Sequence, residues 1–184
     1  MRSPCVNSSN SLPATLDLAS PLIPALTLDS PGIAAMTEFT CESPIIVSPE
    51  CQVDDALHEM IISGIRALLV VNGTTVVGLI TAADILGTRP IQFLQNPLCQ
   101  GTPCRRRDVQ VADIMTPWLA LQVLTFAGVA GASAADLVEY FSNTDATHLL
   151  VVDPASRGGT VVRGLLSRSR LARQLGIEFS RASA

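Results

Sequence analysis

The chain has 184 residues, 48% of them apolar and 15% charged, and a formal net charge of −4. This length and composition predict a globular protein, either one well-buried domain or two small halves that share a core. No run approaches the ~20 consecutive apolar residues that a membrane span needs, and the first 30 residues lack the compact apolar block of a secretory signal. These observations predict a cytoplasmic protein without a membrane partner.

The basic residues are all arginines, and they are distributed unevenly. Residues 1–84 carry 9 acidic residues and 2 arginines, whereas residues 85–184 carry 7 acidic residues and 10 arginines. A solvated charged face explains this asymmetry, and so does anion recognition, because the guanidinium group suits phosphate oxygens. The overall acidity and the aromatic content of 4% argue against a nucleic-acid partner.

The cysteines show neither the close-paired spacing of a zinc site nor the density of a disulfide framework. Cys99 and Cys104 lie close together in a predicted loop, but two ligands do not make a metal site. We therefore expect reduced thiols and no metal. The five cysteines are Cys5, Cys41, Cys51, Cys99 and Cys104.

The predicted elements begin after an N-terminal arm. Residues 1–33 hold five of the twelve prolines, together with repeated Ser, Asn and Leu. Prolines prevent a long helix, so an extended arm is expected. The segment 16–28 is apolar enough to lie against the body of the protein or a second subunit.

Residues 34–90 form the first predicted unit. Ser48 followed by Pro49 is typical of a helix start, and apolar residues then recur at i, i+3 and i+4 spacing until Gly64. Asn72-Gly73 is a strong hairpin signal. The predicted elements are a strand at 44–47, a helix from Pro49 to Gly64, strands at 67–72 and 75–80, and a helix from Thr81 to Gly87.

The second unit has the same order of elements. Residues 91–110 are a predicted linker with a helical turn at 91–95, the second unit spans 111–177, and residues 178–184 are a tail. Its predicted elements are a strand at 119–123, a helix at 134–143, strands at 149–153 and 160–166, and a helix at 167–175 before Gly176.

The two units are an internal duplication. The first reads ALLVVN, TVVGLI and TAAD, and the second reads HLLVVD, TVVRGLL and SRSR. Both units therefore have the order strand, helix, strand, strand, helix, which predicts an α/β (α+β) fold of two βαββα repeats. Neither repeat can bury its apolar sheet alone. The repeats differ at the fourth position of the last helix, where Asp84 is replaced by Arg170.

These motifs resemble a tandem pair of CBS domains, over about residues 36–176. The resemblance implies two repeats packed about a pseudo-twofold axis, with leading strands that cross between the halves. It also implies a regulatory module without chemistry or a catalytic cofactor, which binds AMP, ADP, ATP, S-adenosylmethionine or a related molecule. Modules of this kind commonly pair into a flat dimer, so a homodimer is expected, with an unidentified protein partner as a further candidate.

The resemblance also implies a site. In the family, the Asp of the G-h-h-T-x-x-D signature accepts hydrogen bonds from the ribose, and the Thr contacts phosphate or ribose. Thr81 and Asp84 match these two positions. Arg66 matches a position that contacts phosphate in some members of the family. An ionised carboxylate can accept from both hydroxyls of a cis-diol, and a helix N-terminus favours phosphate. Further ligand-binding residues are expected to be Leu79, Ile80, Ala67, Ile65, Ala83, Leu119 and Ala120.

A capping box explains Thr81-x-x-Asp84 without any ligand. In that arrangement the threonine caps the helix and the acid reaches back to the threonine N–H. Taken alone, the motif favours the capping box; within the duplicated repeats, it favours ligand binding.

The second repeat departs from the pattern. Ser167 can still cap its helix, but Arg170 cannot accept from a ribose, so we expect one competent nucleotide site per chain. Arg168, Arg170 and His148 are candidates for phosphate contacts in the other cleft. Exposed arginines near a helix end and a histidine at a strand start explain the same residues without a ligand.

The leading hypothesis is a regulatory protein that binds an adenine nucleotide. The alternative is a structural dimerisation or docking protein with vestigial clefts. An enzyme is poorly supported, because His58 and His148 are the only histidines and no nucleophile lies at motif spacing from either.

Overall fold

The two repeats form two four-stranded sheets in a computed structural model that describes residues 26–95, 105–155 and 158–179. The strands are β1 (Thr37–Glu38), β2 (Ile46–Val47), β3 (Ala67–Asn72), β4 (Thr75–Thr81), β5 (Thr116–Pro117), β6 (Val123–Thr125), β7 (His148–Pro154) and β8 (Thr160–Ser167). The α-helices are α1 (Val53–Ile62), α2 (Ala82–Leu86), α3 (Arg89–Leu94), α4 (Val111–Ile114), α5 (Phe126–Gly131), α6 (Ala134–Ser142) and α7 (Arg168–Leu175). The mixed α/β fold of two duplicated units is confirmed.

The sheets have equivalent strand orders, β2-β3-β4-β5 and β6-β7-β8-β1. In each sheet the first pair is parallel and the other two pairs are antiparallel. The short strand that leads each repeat joins the sheet of the other one: β5 pairs with β4 at Gly78, and β1 pairs with β8 at Gly164. The leading strands therefore cross between the halves, as the resemblance implies.

Glycine is needed where these exchanged strands pass. A Cβ at Gly78 would lie 2.6 Å from the Thr116 carbonyl oxygen, and a Cβ at Gly164 would meet the Thr37 carbonyl oxygen at even closer range. Real Cβ atoms essentially never come that close, so a larger residue would push the exchanged strand away. The glycine of the repeated Gly-Leu pair is thus a packing requirement.

The core has two kinds of layer, because alternate residues of a strand face opposite sides of the sheet. Ala67, Leu69 and Leu79 face Leu150 in a cluster between the two sheets. The intervening residues face the helices instead. The first outer cluster includes Leu68, Val70 and Ile80 with residues of α1, α2 and α4, and the second includes Leu149, Val151 and Leu166 with residues of α6 and α7.

Helix α1 begins at Val53 and not at Ser48-Pro49 as the sequence suggests. The intervening backbone is hydrogen-bonded to the start of the second repeat: the Ala112 N–H donates to the Pro49 carbonyl, and the Val111 N–H donates to the Cys51 carbonyl. These long-range bonds hold residues 48–52 outside the helix, and Ser48 bonds to Glu50 instead of capping α1.

The beginning of the second repeat differs most from the prediction. The predicted strand at 119–123 is a 3-10 turn at Trp118–Ala120 followed by β6 at 123–125. Helix α5 was not predicted, because its sequence FAGVAG contains two glycines and has no polar face. Thr125 caps this helix, since its side chain accepts a hydrogen bond from the Gly128 N–H. Helix α3 covers residues 89–94, which were predicted to be the end of the first repeat and part of a helical turn in the linker.

Predicted features at 1–25, 96–104 and 180–184 lie outside the described residues, including Cys5, Cys99, Cys104 and most of the arm. In the described part of the chain, no helix is long and apolar enough to cross a membrane. Cys41 and Cys51 are free thiols.

Candidate functional site

Two neighbouring cavities lie at the edge of the sheets where β3 and β7 begin and β4 and β8 end. The first, here called the helix groove, has a volume of about 800 Å³ and lies against α1, α2 and the start of α7. The second, here called the sheet pocket, has a volume of about 540 Å³ and lies against residues 37–45, β3, β4 and α7. Both repeats contribute to each cavity.

Most of the predicted site residues line one of these cavities. Ile65, Arg66 and His148 line both. The helix groove also contains Thr81, Ala83 and Arg168, and the sheet pocket also contains Ala67, Leu79 and Arg170. The structure therefore brings the two repeats together around Arg66 and His148.

Ile80, Leu119 and Ala120 line neither cavity. Ile80 is fully buried on the opposite side of β4, where it packs with Leu68 and Val70 under the helices. Leu119 is 98% exposed, because the 3-10 turn at Trp118–Ala120 directs Trp118 toward the core between the sheets. Side chains along β4 face alternate sides of the sheet, and this alternation, together with the 3-10 turn, determines which side chains reach the cleft.

The Thr81–Asp84 motif forms a complete capping box. The Asp84 carboxylate accepts from the Thr81 N–H at 2.8 Å and from the Thr81 hydroxyl at 2.7 Å, while the Thr81 Oγ1 accepts from the Asp84 N–H at 3.2 Å. This is the ligand-free arrangement that the motif alone favours. Asp84 lines neither cavity in this state, so its contact with a ribose stays a prediction.

A second contact holds the other oxygen of this carboxylate. Arg89 Nη1 lies 3.1 Å from Asp84 Oδ1, 2.8 Å from the Ile114 carbonyl oxygen and 3.1 Å from Thr116 Oγ1. The guanidinium thus joins the first repeat to the α4–β5 junction. The Asp84 side chain is only 13% exposed, so a ligand that uses it must displace part of this network.

His148 is the ionisable group at the centre of the cleft. Burial lowers the pKa of His148 to about 4; the Asp84 carboxylate partly opposes this shift and the Arg66 guanidinium reinforces it. Thr147 Oγ1 lies 3.0 Å from His148 Nδ1. The imidazole is therefore neutral at pH 7, and an anion bound beside it would favour its protonation.

Helix α7 begins differently from its counterpart α2. Ser167 makes no cap hydrogen bond with its side chain, the first turn contains no acid, and Arg168 and Arg170 lie within it. The Arg168 guanidinium lies over the Phe179 ring at 4.7 Å, and Arg170 donates to the Thr37 hydroxyl. Cations are disfavoured at a helix N-terminus, so this end of the cleft attracts anions.

Sequence reasoning missed Ser169, Arg173 and Phe39, which also line the cleft. Arg173 follows Arg170 by three residues and therefore shares its helix face, a spacing that was visible in the sequence. No such signal marks Phe39, whose place depends on the exchange of β1. Among the described residues, no three His, Cys, Asp or Glu side chains are grouped in a way that would hold a metal ion.

Comparisons with known proteins agree with this architecture. The family model described as "CBS domain" matches residues 36–89. CBSX2, crystallised in complex with AMP, is 25% identical with a TM-score of 0.53, and the match covers 78% of this chain and 93% of that one. No curated protein sequence matches the chain.

Two further structures show the same fold. The CBS-pair protein CBSX2 from Arabidopsis thaliana is 24% identical with a TM-score of 0.51, over 80% of this chain and 94% of that one. A conserved protein from Pyrococcus horikoshii is 21% identical with a TM-score of 0.53, over 80% and 93%. The first repeat thus matches the CBS-domain family model, and across both repeats the chain is similar in fold to CBS-pair proteins.

Proposed function

We propose that this protein is a non-catalytic regulatory module that binds an adenine nucleotide in the cleft between its two repeats. The observation that carries the proposal is the position of Arg66 and His148, one from each repeat, in both cavities of that cleft. A ligand held there contacts both halves at once. Its affinity then depends on how the halves are arranged, which is the requirement for a regulatory signal.

The two cavities divide the chemistry of a nucleotide. Ala67, Leu69 and Leu79 give the sheet pocket an apolar wall between the sheets, which suits a planar base. The phosphates would lie toward Arg66 and the start of α7, where guanidinium groups and the positive end of the helix dipole suit phosphate oxygens. The AMP complex of CBSX2, a protein of the same fold, supports this class of ligand.

Asp84 contributes the sugar contact in this proposal, after leaving its capping box. An ionised carboxylate has about four lone-pair sites, so a cis-diol can replace the Thr81 hydroxyl and Arg89 as its hydrogen-bond donors. The Asp84 charge already acts on His148. Thr81, to which this carboxylate is hydrogen-bonded, itself lines the helix groove.

The test is calorimetry with AMP, ADP, ATP and S-adenosylmethionine on the full chain and on two arginine variants. Arg66→Ala removes a charged donor from the cleft and should weaken binding by about 10- to 150-fold, from a loss of ~1.5–3 kcal/mol. Arg107→Ala is the matched control, because Arg107 is 68% exposed and lines neither cavity. Absence of binding by the unaltered chain at millimolar nucleotide contradicts the proposal.

We also propose that the chain pairs with a second copy through α1 and α2. Ile61, Ile62 and Leu86 are each 68% exposed, and Ile61 and Leu86 border the same groove. Contiguous exposed apolar side chains of this size mark interaction surfaces. Sedimentation equilibrium should show a dimer that Ile62→Asp, at a residue that lines neither cavity, converts to a monomer. A monomeric unaltered chain would exclude this pairing.

A further inference from the structure

The helix groove has a wall of large apolar side chains that is open to solvent. Ile61 and Leu86 border it and are each 68% exposed. Uncovered apolar side chains that lie together mark the place where another apolar group binds. The apolar residues that line the groove are Leu57, Met60, Ile61, Ile65, Leu86 and Phe179.

The polar part of the groove is cationic. Arg66 and Arg168 line it, and neither forms an ion pair with another described residue. Among the described residues that line the groove, none carries a carboxylate. A carboxylate is a natural hydrogen-bond partner of a guanidinium group. The groove therefore fits an apolar partner that also carries a negative charge.

Residues 16–25, here called the arm segment, have this chemistry. Their sequence is LDLASPLIPA, in which Asp17 is the one charged residue. Pro21 and Pro24 each fix their own φ at about −65°, which lowers the entropy that a segment loses when it binds. The large aliphatic side chains of the arm segment are Leu16, Leu18, Leu22 and Ile23.

The described residues begin at Leu26, directly after the arm segment. Leu26 packs against the second outer cluster, and the Leu28 carbonyl accepts from the Ala135 N–H at 2.9 Å. The same cluster supports Phe179, whose ring centroid lies 6.1 Å from that of Phe141. Phe179 in turn lines the helix groove. The arm segment is thus tethered to the cluster that supports one wall of the groove.

The arm segment is long enough to reach across the groove. At about 3.1 Å per residue, ten extended residues span ~31 Å. A globular chain of 184 residues has a radius of gyration of about 16 Å. The distance from Leu26 to the far side of the groove therefore does not prevent docking.

We infer that the arm segment docks in the helix groove of its own chain. Its aliphatic side chains cover Ile61 and Leu86, and the Asp17 carboxylate pairs with a guanidinium group of the groove. Because Arg66 also belongs to the proposed nucleotide site, the docked arm segment competes with a nucleotide. Docking does not depend on the proposed function; only this competition rests on it.

Hydrogen–deuterium exchange on the full chain tests the docking, with the backbone amides of α2 as the readout. Leu22→Asp places a charge among the apolar contacts. Exchange of the α2 amides should then rise by about three- to tenfold, because local opening no longer has to displace the arm segment. Leu12→Asp is the matched control, since Leu12 precedes the arm segment in the same arm. Equal exchange in both variants would overturn the inference.

A charge reversal tests the pairing of Asp17. Asp17→Arg should also raise exchange of the α2 amides, and the rise should be smaller in high salt, where ion pairs are screened. Asp29→Arg is the control, because Asp29 is exposed and lines neither cavity. If the two reversals have the same effect, Asp17 does not contact the groove.

A second copy of the chain is the other candidate to cover this wall. Ile62→Asp, which is expected to be monomeric, distinguishes the two when it is combined with Leu22→Asp. If Leu22→Asp still raises exchange of the α2 amides in this background, the arm segment docks within one chain. If it has no effect there, a second copy covers the groove and the inference is wrong.

Calorimetry with AMP tests the competition. AMP should bind to Leu22→Asp about two- to fivefold more tightly than to Leu12→Asp, because a site that is partly occupied has a reduced apparent affinity. Equal AMP affinity in the two variants would exclude competition. If AMP binds to neither variant nor to the unaltered chain, the proposed function fails, and the exchange measurements still decide whether the arm segment docks.

Discussion

Replacing Asp84 with alanine separates a structural role of this carboxylate from a role in binding, because the chain contains a matched control. Asp136 makes the same capping box on α6, where it accepts from the Ser133 N–H and hydroxyl, both at 2.8 Å. These hydrogen bonds hold the pKa of Asp136 below its usual range. Asp136 lines neither cavity, so it makes the same capping box but lies outside the candidate site.

The two variants should lose similar stability and different affinity. Loss of the cap interaction costs about 1 kcal/mol of unfolding free energy in Asp84→Ala, and Asp136→Ala loses the same kind of interaction. Asp84→Ala also loses its pair with Arg89, whose side chain is 43% exposed, which adds at most about 1 kcal/mol. If Asp84 holds the ribose, its loss should further weaken nucleotide binding by ~1–3 kcal/mol, or about 5- to 150-fold, whereas Asp136→Ala should leave the dissociation constant unchanged.

Urea unfolding measures the first effect and calorimetric titration with AMP or ATP measures the second. Equal dissociation constants in Asp84→Ala, Asp136→Ala and the unaltered chain would show that the Thr81–Asp84 motif is a cap and nothing more. The ribose contact would then have to come from another residue of the cleft.

Three further predictions follow from the structure. Burial lowers the pKa of His148 to about 4 from 6.5, so between these pH values the unfolded chain binds a proton at His148 and the folded chain does not. The free energy of unfolding, measured in urea, should therefore fall by about 2 kcal/mol from pH 7 to pH 5. The fall should be smaller in His148→Gln. Gly78→Ala should cost about 1–3 kcal/mol of unfolding free energy by displacing β5, while Gly131→Ala, where a Cβ meets nothing within 4 Å, should not destabilise. Arg89→Ala should free Asp84 Oδ1 and tighten nucleotide binding by about two- to fivefold in calorimetry; unchanged or weaker binding would contradict competition between Arg89 and the ligand.

The sequence predicts the fold best where local signals and packing agree. Strands β3, β4, β7 and β8 and helices α2, α6 and α7 lie within one or two residues of their predicted positions, because hairpin turns, caps and apolar runs mark them. The start of α1 was wrong because backbone bonds to residues 109–112 outweigh the local Ser-Pro signal. Such long-range pairing leaves no pattern within a short window of sequence.

The residues of the candidate site were likewise predicted only in part. Arg66, Thr81 and His148 were identifiable from the repeats, and the structure places all three in the cleft. The side chains of Ile80 and Leu119 lie elsewhere, because the facing of a strand residue and the shape of a 3-10 turn depend on the pairing of β4 with β5. Proximity along the chain to a motif did not predict which side of the sheet a residue faces.

Duplication followed by divergence explains why the cleft is polarised. The equivalent helices α2 and α7 both begin at the end of a long strand. Helix α2 starts with the Thr81–Asp84 capping box, whereas α7 starts with two arginines and has no side-chain cap. The arginines place positive charge at the positive end of the α7 dipole, and a bound anion would offset both. An anion is therefore expected to enter on the side of the second repeat, where the departure from the family pattern at Arg170 makes the site cationic. The replacement of the carboxylate by Arg170 in the second repeat is therefore expected to favour an anion at that position.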